Sequence, residues 1–134
     1  MISRPYYFRY KFTHVIRHES GVVELLCDRD TVLSVEMLED VLDFCTDLAS
    51  GELYLLINKR NSFSFSLGAI QLLRKYDSLK ALAVFSASQS THSFLEFFMK
   101  MTSTGFELKH MEDRDAALAW LERCRRPFLK KIPA

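Results

Sequence analysis

Phe8, Tyr10, Phe12, His14 and Ile16 alternate with Arg9, Lys11, Thr13 and Arg17, and this period of two predicts a strand over Tyr7–His18. His18-Glu19-Ser20-Gly21 supplies a turn in which Gly21 is free to take a positive φ. Val22–Cys27 then returns as a second, more apolar strand of the same hairpin. From Val35 the period changes. Val35, Leu38, Val41, Leu42, Cys45 and Leu48 recur at helical spacing, Ser34 is placed to cap the first turn, and Gly51 follows as the stop, so a helix is predicted over Val35–Ser50. Leu53–Ile57 is an apolar run with the length of a buried strand. A polar loop, KRNSFSFS, leads into a short helix over Leu67–Tyr76 with Leu67, Ile70 and Leu73 inward. Leu79–Phe85 is another buried strand. Phe94, Leu95, Phe98 and Met101 mark a helix that runs to about Ser103 and stops at Gly105, and Phe106–His110 is a fifth, shorter strand. Asp113 opens the last helix, with Ala116, Ala117, Trp120, Leu121 and Cys124 on its buried side. Arg125-Arg126-Pro127 is expected to end it.

The resulting order is β-β-α-β-α-β-α-β-α. Strands alternating with helices imply parallel pairing through right-handed crossovers. The expected fold is α/β: a five-stranded, mostly parallel sheet opened by an antiparallel hairpin, with the helices mainly on one face. The 134 residues fit one domain, with a core over about 7–124 and a basic C-terminal tail over 125–134.

Composition narrows the chemistry. A net charge of +1 gives no global electrostatic case for nucleic acid. Cys27, Cys45 and Cys124 are far apart, and no CxxC or Cys/His cluster occurs, so neither a disulfide framework nor a metal site is expected. The N-terminus lacks an apolar signal region and no apolar run reaches the ~20 residues of a membrane span, so a soluble cytoplasmic protein is expected. No Gly-rich phosphate loop or nucleophile motif occurs and the histidines at 14, 18, 92 and 110 are scattered; no cofactor and no catalytic residue is assigned.

The opening hairpin with GVVELL, the helix-and-strand run ending GELYLLIN, the strand LKALAVFS, the helix core FLEFFMKM and the ending EDRDAALAWLE together span about Phe12 to Glu122. Their order resembles the STAS domain, the SpoIIAA-like fold, and above all its small bacterial members of uncharacterised function. The resemblance implies a β–α superhelix and a regulatory or protein-interaction role without catalysis. In such domains a switch serine sits where the loop after the third strand meets the next helix, within a pattern like Asp-Ser-Ser-Gly-Leu. The matching stretch here runs from Asn61 to Gly68, and Ser66 is the positional match. The Asp is absent and the order reads Ser-Leu-Gly.

Four surfaces are candidates for function. Ser66, with Ser64, Ser62 and Asn61, forms the first, because a phosphate at a helix N-terminus meets free amides and a favourable dipole. The plain alternative is that Ser66 is only a helix cap. Glu36, Glu39, Asp40, Asp43 and Asp47 line one side of the first helix with no basic residue between them. That face is either a dock for a basic partner or a solvated surface that keeps the chain in solution. Phe94, Phe97 and Phe98 form a stripe too wide for a simple inward face. It is either core packing or the lining of an apolar pocket, and with a pocket the resemblance also allows a small-ligand or lipid carrier, a role suggested for some relatives of the fold. Arg123, Arg125, Arg126, Lys130 and Lys131 at the C-terminus leave self-association as a homodimer open beside a protein partner.

Overall fold

The computed structural model describes residues 5–61, 63–86 and 106–130, with side chains described as far as 125. Its main sheet has six strands in the order β1-β2-β3-β5-β7-β8. These are β1 (Tyr6–Tyr10), β2 (Thr13–Arg17), β3 (Val23–Cys27), β5 (Leu53–Asn58), β7 (Leu79–Phe85) and β8 (Glu107–Met111). The strands β1, β2 and β3 are joined antiparallel, and β3, β5, β7 and β8 run parallel. A separate two-stranded sheet pairs β4 (Val32–Leu33) with β6 (Ser64–Phe65). Three helices are described: α1 (Val35–Leu48), α2 (Leu67–Arg74) and α3 (Arg114–Lys130).

The sixth strand arises where a single one was expected over Tyr7–His18. Tyr10 pairs with Thr13, so Lys11 and Phe12 form a tight turn. Lys11 takes φ 55°, and the Thr13 hydroxyl donates to the Tyr10 carbonyl at 2.6 Å. The turn resets the alternation, since a one-residue change of phase sends every later side chain to the other face. Thr13 and Val15 are therefore buried, and His14, which the alternation puts on one face with Phe8, Tyr10 and Phe12, is exposed.

Alternation along the central strands builds two cores. Val15, Val23, Leu25, Leu53, Leu55, Ile57, Leu82 and Val84 face α1 and α2. Tyr54, Leu56, Ala81 and Ala83 face the opposite way, onto Ala117 and Leu121 of α3. Among the described helices, α1 and α2 therefore cover one face of the sheet and α3 the other. The reason lies in the strand composition: Leu53–Asn58 is buried at every position, and a strand buried on both sides needs cover on both.

The helix ends follow their sequence signals with two exceptions. Ser34 caps α1 through Met37 N, and Gly51, at φ 100°, closes it by donating to the Thr46 carbonyl at 3.0 Å. Arg17 Nε adds a cation at that end, 2.9 Å from the Leu48 carbonyl. In α2 the inward residues are Ala69, Ile70 and Leu73; Leu67 was expected among them but is exposed at the first turn. The second exception is α3, which continues through Pro127 to Lys130. Arg125 is thus part of a docked helix and not of the basic tail expected from residue 125 onward. Its Nη1 donates to the Ser20 carbonyl at 2.8 Å, and its guanidinium lies over Gly21, where a Cβ would stand 2.7 Å from Cζ.

Candidate functional site

The polar loop after β5 is held at the carboxyl ends of the parallel strands, the edge at which α/β sheets place ligands and partners. Asn58 Oδ1 accepts from Arg60 N at 2.9 Å, and Asn61 Nδ2 donates to the Cys27 carbonyl at 3.2 Å. Lys59 lies with its ammonium 5.2 Å from the centre of the Phe63 ring, and burial pulls its pKa down. Phe63 is buried and meets Phe65 edge-on at 5.8 Å. Ser64 N donates to the Thr31 carbonyl at 3.0 Å and Ser66 N to the Leu33 carbonyl at 2.8 Å, so β6 is fastened to β4.

Ser66 is the N-cap of α2, with φ −64°, ψ 161° and its Oγ accepting from Ala69 N at 3.1 Å. Ser64 is exposed in β6, and Asn61 is tied to β3. Ser62 lies outside the described residues, as do Phe94, Phe97 and Phe98. Removing the cap should be measurable. Ser66→Ala is expected to lower unfolding stability by about 1 kcal/mol, while Ser66→Asp, itself a good cap, should stay within a few tenths. Urea titrations of the two variants beside the parent chain check this, and an equal loss in both would refute the capping role.

Around this cap lies an apolar surface that the periodicity did not disclose. Val32, Val35 and Leu67 are 62%, 36% and 60% exposed. They belong to three elements that meet at one place. Val32 is in register with Ser64, and Val35 Cγ2 approaches Gly68 so closely that a Cβ there would stand only 2.6 Å away. Gly68 is therefore what lets the first turns of α1 and α2 come together. Glu36 and Glu39, both exposed, follow Val35 on α1.

The rest of the predicted acidic face divides. Asp40 accepts from Tyr10 Oη at 2.7 Å and from Lys11 Nζ, and the Lys11 ammonium, followed by the Tyr10 hydroxyl, holds its carboxyl below the usual range. Asp43 accepts from Tyr76 Oη at 2.6 Å. These two carboxylates bind β1 and the end of α2 to α1. Asp47 is exposed, near the far end of the helix.

A second polar cluster was not foreseen. Glu24, on the α3 side of β3, has only 1% of its side chain exposed. Arg114, at the start of α3, clasps it with Nε to Oε2 at 2.7 Å and Nη2 to Oε1 at 2.6 Å. Asn58 Nδ2 donates to Oε2 at 2.7 Å, and His18 Nε2 lies 2.8 Å from Oε1. Burial opposes the charge, but the bonds from His18, Arg114 and Asn58 win and hold the Glu24 carboxyl down to about 2. The sequence carried one usable signal, a lone acid in the apolar strand VELLC. Its partners come from positions 18, 58 and 114, which only the topology brings together. Chemically the cluster is a clamp. A carboxylate that accepts four hydrogen bonds and titrates near 2 is a poor general base at neutral pH.

The thiols are similarly quiet. Burial pushes Cys27 and Cys45 up to about 12 and Cys124 up to about 11. Among the described residues, no group of three or more His, Cys, Asp or Glu side chains converges as a metal site, and no helix is long and apolar enough to cross a membrane.

No family model matches the chain, and no curated protein matches it. Its structure is similar to that of an uncharacterised protein of the DUF3478 family with a SpoIIAA-like fold from Shewanella loihica PV-4. The TM-score is 0.51 at 19% identity, over 90% of this chain and 98% of the other. The chain therefore has a SpoIIAA-like α/β fold, as the resemblance implies, with six strands in its main sheet instead of five.

Proposed function

We propose that the chain is a non-enzymatic protein-interaction module of the STAS-like type. It docks a partner on the apolar surface of Val32, Val35 and Leu67. The occupant is an amphipathic helix of another protein, with its apolar side on those residues and basic side chains toward Glu36 and Glu39. The observation that carries this reading is the exposure of three large aliphatic side chains where β4, α1 and α2 begin, beside an acidic pair on α1. Single exposed apolar residues are ordinary; what supports the reading is that the elements carrying these three are joined, by the pairing of Val32 with Ser64 and the approach of Val35 to Gly68. The acidic rim adds capture rate and selectivity against acidic partners.

Ser66 immediately precedes Leu67 as the cap of α2, and in the STAS-like role it is the switch. A phosphate there would add up to two negative charges at the start of α2, next to Leu67. The cap hydrogen bond tolerates that charge, because anions are favoured at a helix N-terminus. The same residue then serves as cap and as switch.

Affinity capture with purified variants tests the proposal. The parent chain and Asp115→Lys, a change on the α3 side, should retain the same protein. Leu67→Asp should lose it by at least about tenfold, with folding intact. An unchanged partner set with Leu67→Asp would remove the docking surface. Identical retention by Ser66→Ala and Ser66→Asp would remove the switch and leave the surface.

A further inference from the structure

We propose a second site, a receptor for a small monocarboxylate with an apolar body, at the opposite end of α2 from Ser66. Here Arg74, Lys75, Tyr76, Asp77, Leu79 and Phe106 line a cavity of about 340 Å³. That is the lower end of the volume range of small-molecule sites. Its chemistry is divided. Leu79 and Phe106 are buried and give an apolar floor. Arg74 and Lys75 bring two cations, and Asp77 brings one carboxylate.

Arg74 is the residue that needs explaining. Its Nε is buried and has no hydrogen-bond partner among the described residues. A buried donor left unmade costs about 1–3 kcal/mol, more for a charged group. The position of Arg74 in the last turn of α2 accounts for its charge, since a cation suits the helix C-terminus. It does not account for the empty Nε. Of the other polar groups nearby, Tyr76 Oη is bonded to Asp43 and Thr46, and the Asp77 carbonyl accepts from Lys80 Nζ.

A guanidinium edge recognises a carboxylate with two parallel hydrogen bonds, one of them from Nε. A ligand carboxylate on Arg74 would satisfy the orphaned donor, and its hydrocarbon or aromatic body would lie on Leu79 and Phe106. Asp77 limits the ligand's charge. With one positive charge in excess on the lining, a monoanion is matched and a dianion such as hydrogen phosphate is not.

The test is a nuclear magnetic resonance titration of the whole chain with 3-phenylpropionate, and separately with inorganic phosphate. The expected result is saturable shifts at Arg74, Tyr76, Leu79 and Phe106 with the carboxylate, and much weaker ones with phosphate. Arg74→Met should weaken carboxylate binding by at least about tenfold. The same variant should not lower the melting temperature of the ligand-free chain, because it removes an unmet donor and keeps the apolar stem. No saturable shift by about 10 mM carboxylate, a millimolar affinity being the weakest that counts as a site, would overturn the proposal. So would equal binding by Arg74→Met, tighter binding of phosphate, or shifts centred elsewhere.

Discussion

Arg114→Leu is expected to cost the fold about 3 kcal/mol at neutral pH, the lower end of the range for stripping one partner from a buried ion pair. The lower end applies because Arg114 is itself 38% exposed, and because Asn58 and His18 still reach Glu24. What remains is a carboxylate with 1% of its side chain exposed and two of its four hydrogen bonds gone. The penalty has a pH signature. In the parent chain Glu24 sits at about 2 against an ordinary 4.5. A depressed carboxyl pKa contributes stability that is complete above 4.5 and is lost as the pH falls toward 2. Without Arg114 that contribution shrinks, so the stabilities of parent and variant should converge on acidification. Urea unfolding at neutral pH and again near pH 3 reads both effects, the lower pH lying inside the window set by the two values. Curves that stay parallel across that interval would mean that the arginine acts through packing alone. Arg114→Lys keeps the charge without the two-pronged geometry and should fall between the two.

The other large effect is expected at Leu55. It lies mid-strand in β5 between Val23 of β3 and Leu82 of β7, fully buried on the face covered by α1 and α2. Leu55→Ala should lose about 3–5 kcal/mol, the transfer of the missing carbons plus the cavity they leave. Leu67→Ala removes the same atoms from a side chain 60% exposed and should change stability by no more than about 0.5 kcal/mol. Equilibrium unfolding of the two variants side by side gives the comparison. A loss at position 67 close to that at 55 would show that Leu67 is core and would withdraw it from the docking surface.

How much of this could be read from the chain depends on the range of the interaction involved. The span of α1 was legible because its stripe, its Ser34 cap and its Gly51 stop all lie within one local window. The apolar runs of β5 and β7 were legible for the same reason. The turn at Lys11 was not, since no Gly, Asn or Pro marks it and the alternation before and after it looks continuous. Its cost was a wrong phase for the whole of β2. The β4–β6 pairing was also hidden, because two-residue strands have no period to detect.

The candidate site shows the same division. The capping role of Ser66 was legible because a cap is defined by its own neighbours in sequence. The acidic face was read as a unit, yet Asp40 and Asp43 are engaged by Tyr10, Lys11 and Tyr76, residues about 30 positions away. The apolar surface became visible only when Val32, Val35 and Leu67 came together across three elements. In sequence each is a single aliphatic residue at the edge of an element, and Leu67 was assigned inward. Glu24, Arg114, Asn58 and His18 likewise assemble only through the topology.

Site-specific photocrosslinking bears most directly on the claim that the chain works by docking a partner's helix at the starts of β4, α1 and α2. A photoreactive residue would replace Leu67 in one preparation and Asp115 in another. The account predicts adducts from position 67 to a lysine- or arginine-rich helix of a different protein, their loss when Glu36→Lys and Glu39→Lys are added, and none from position 115. Adducts to that helix from 115 and not from 67, or a yield indifferent to reversing the two acids, would contradict it.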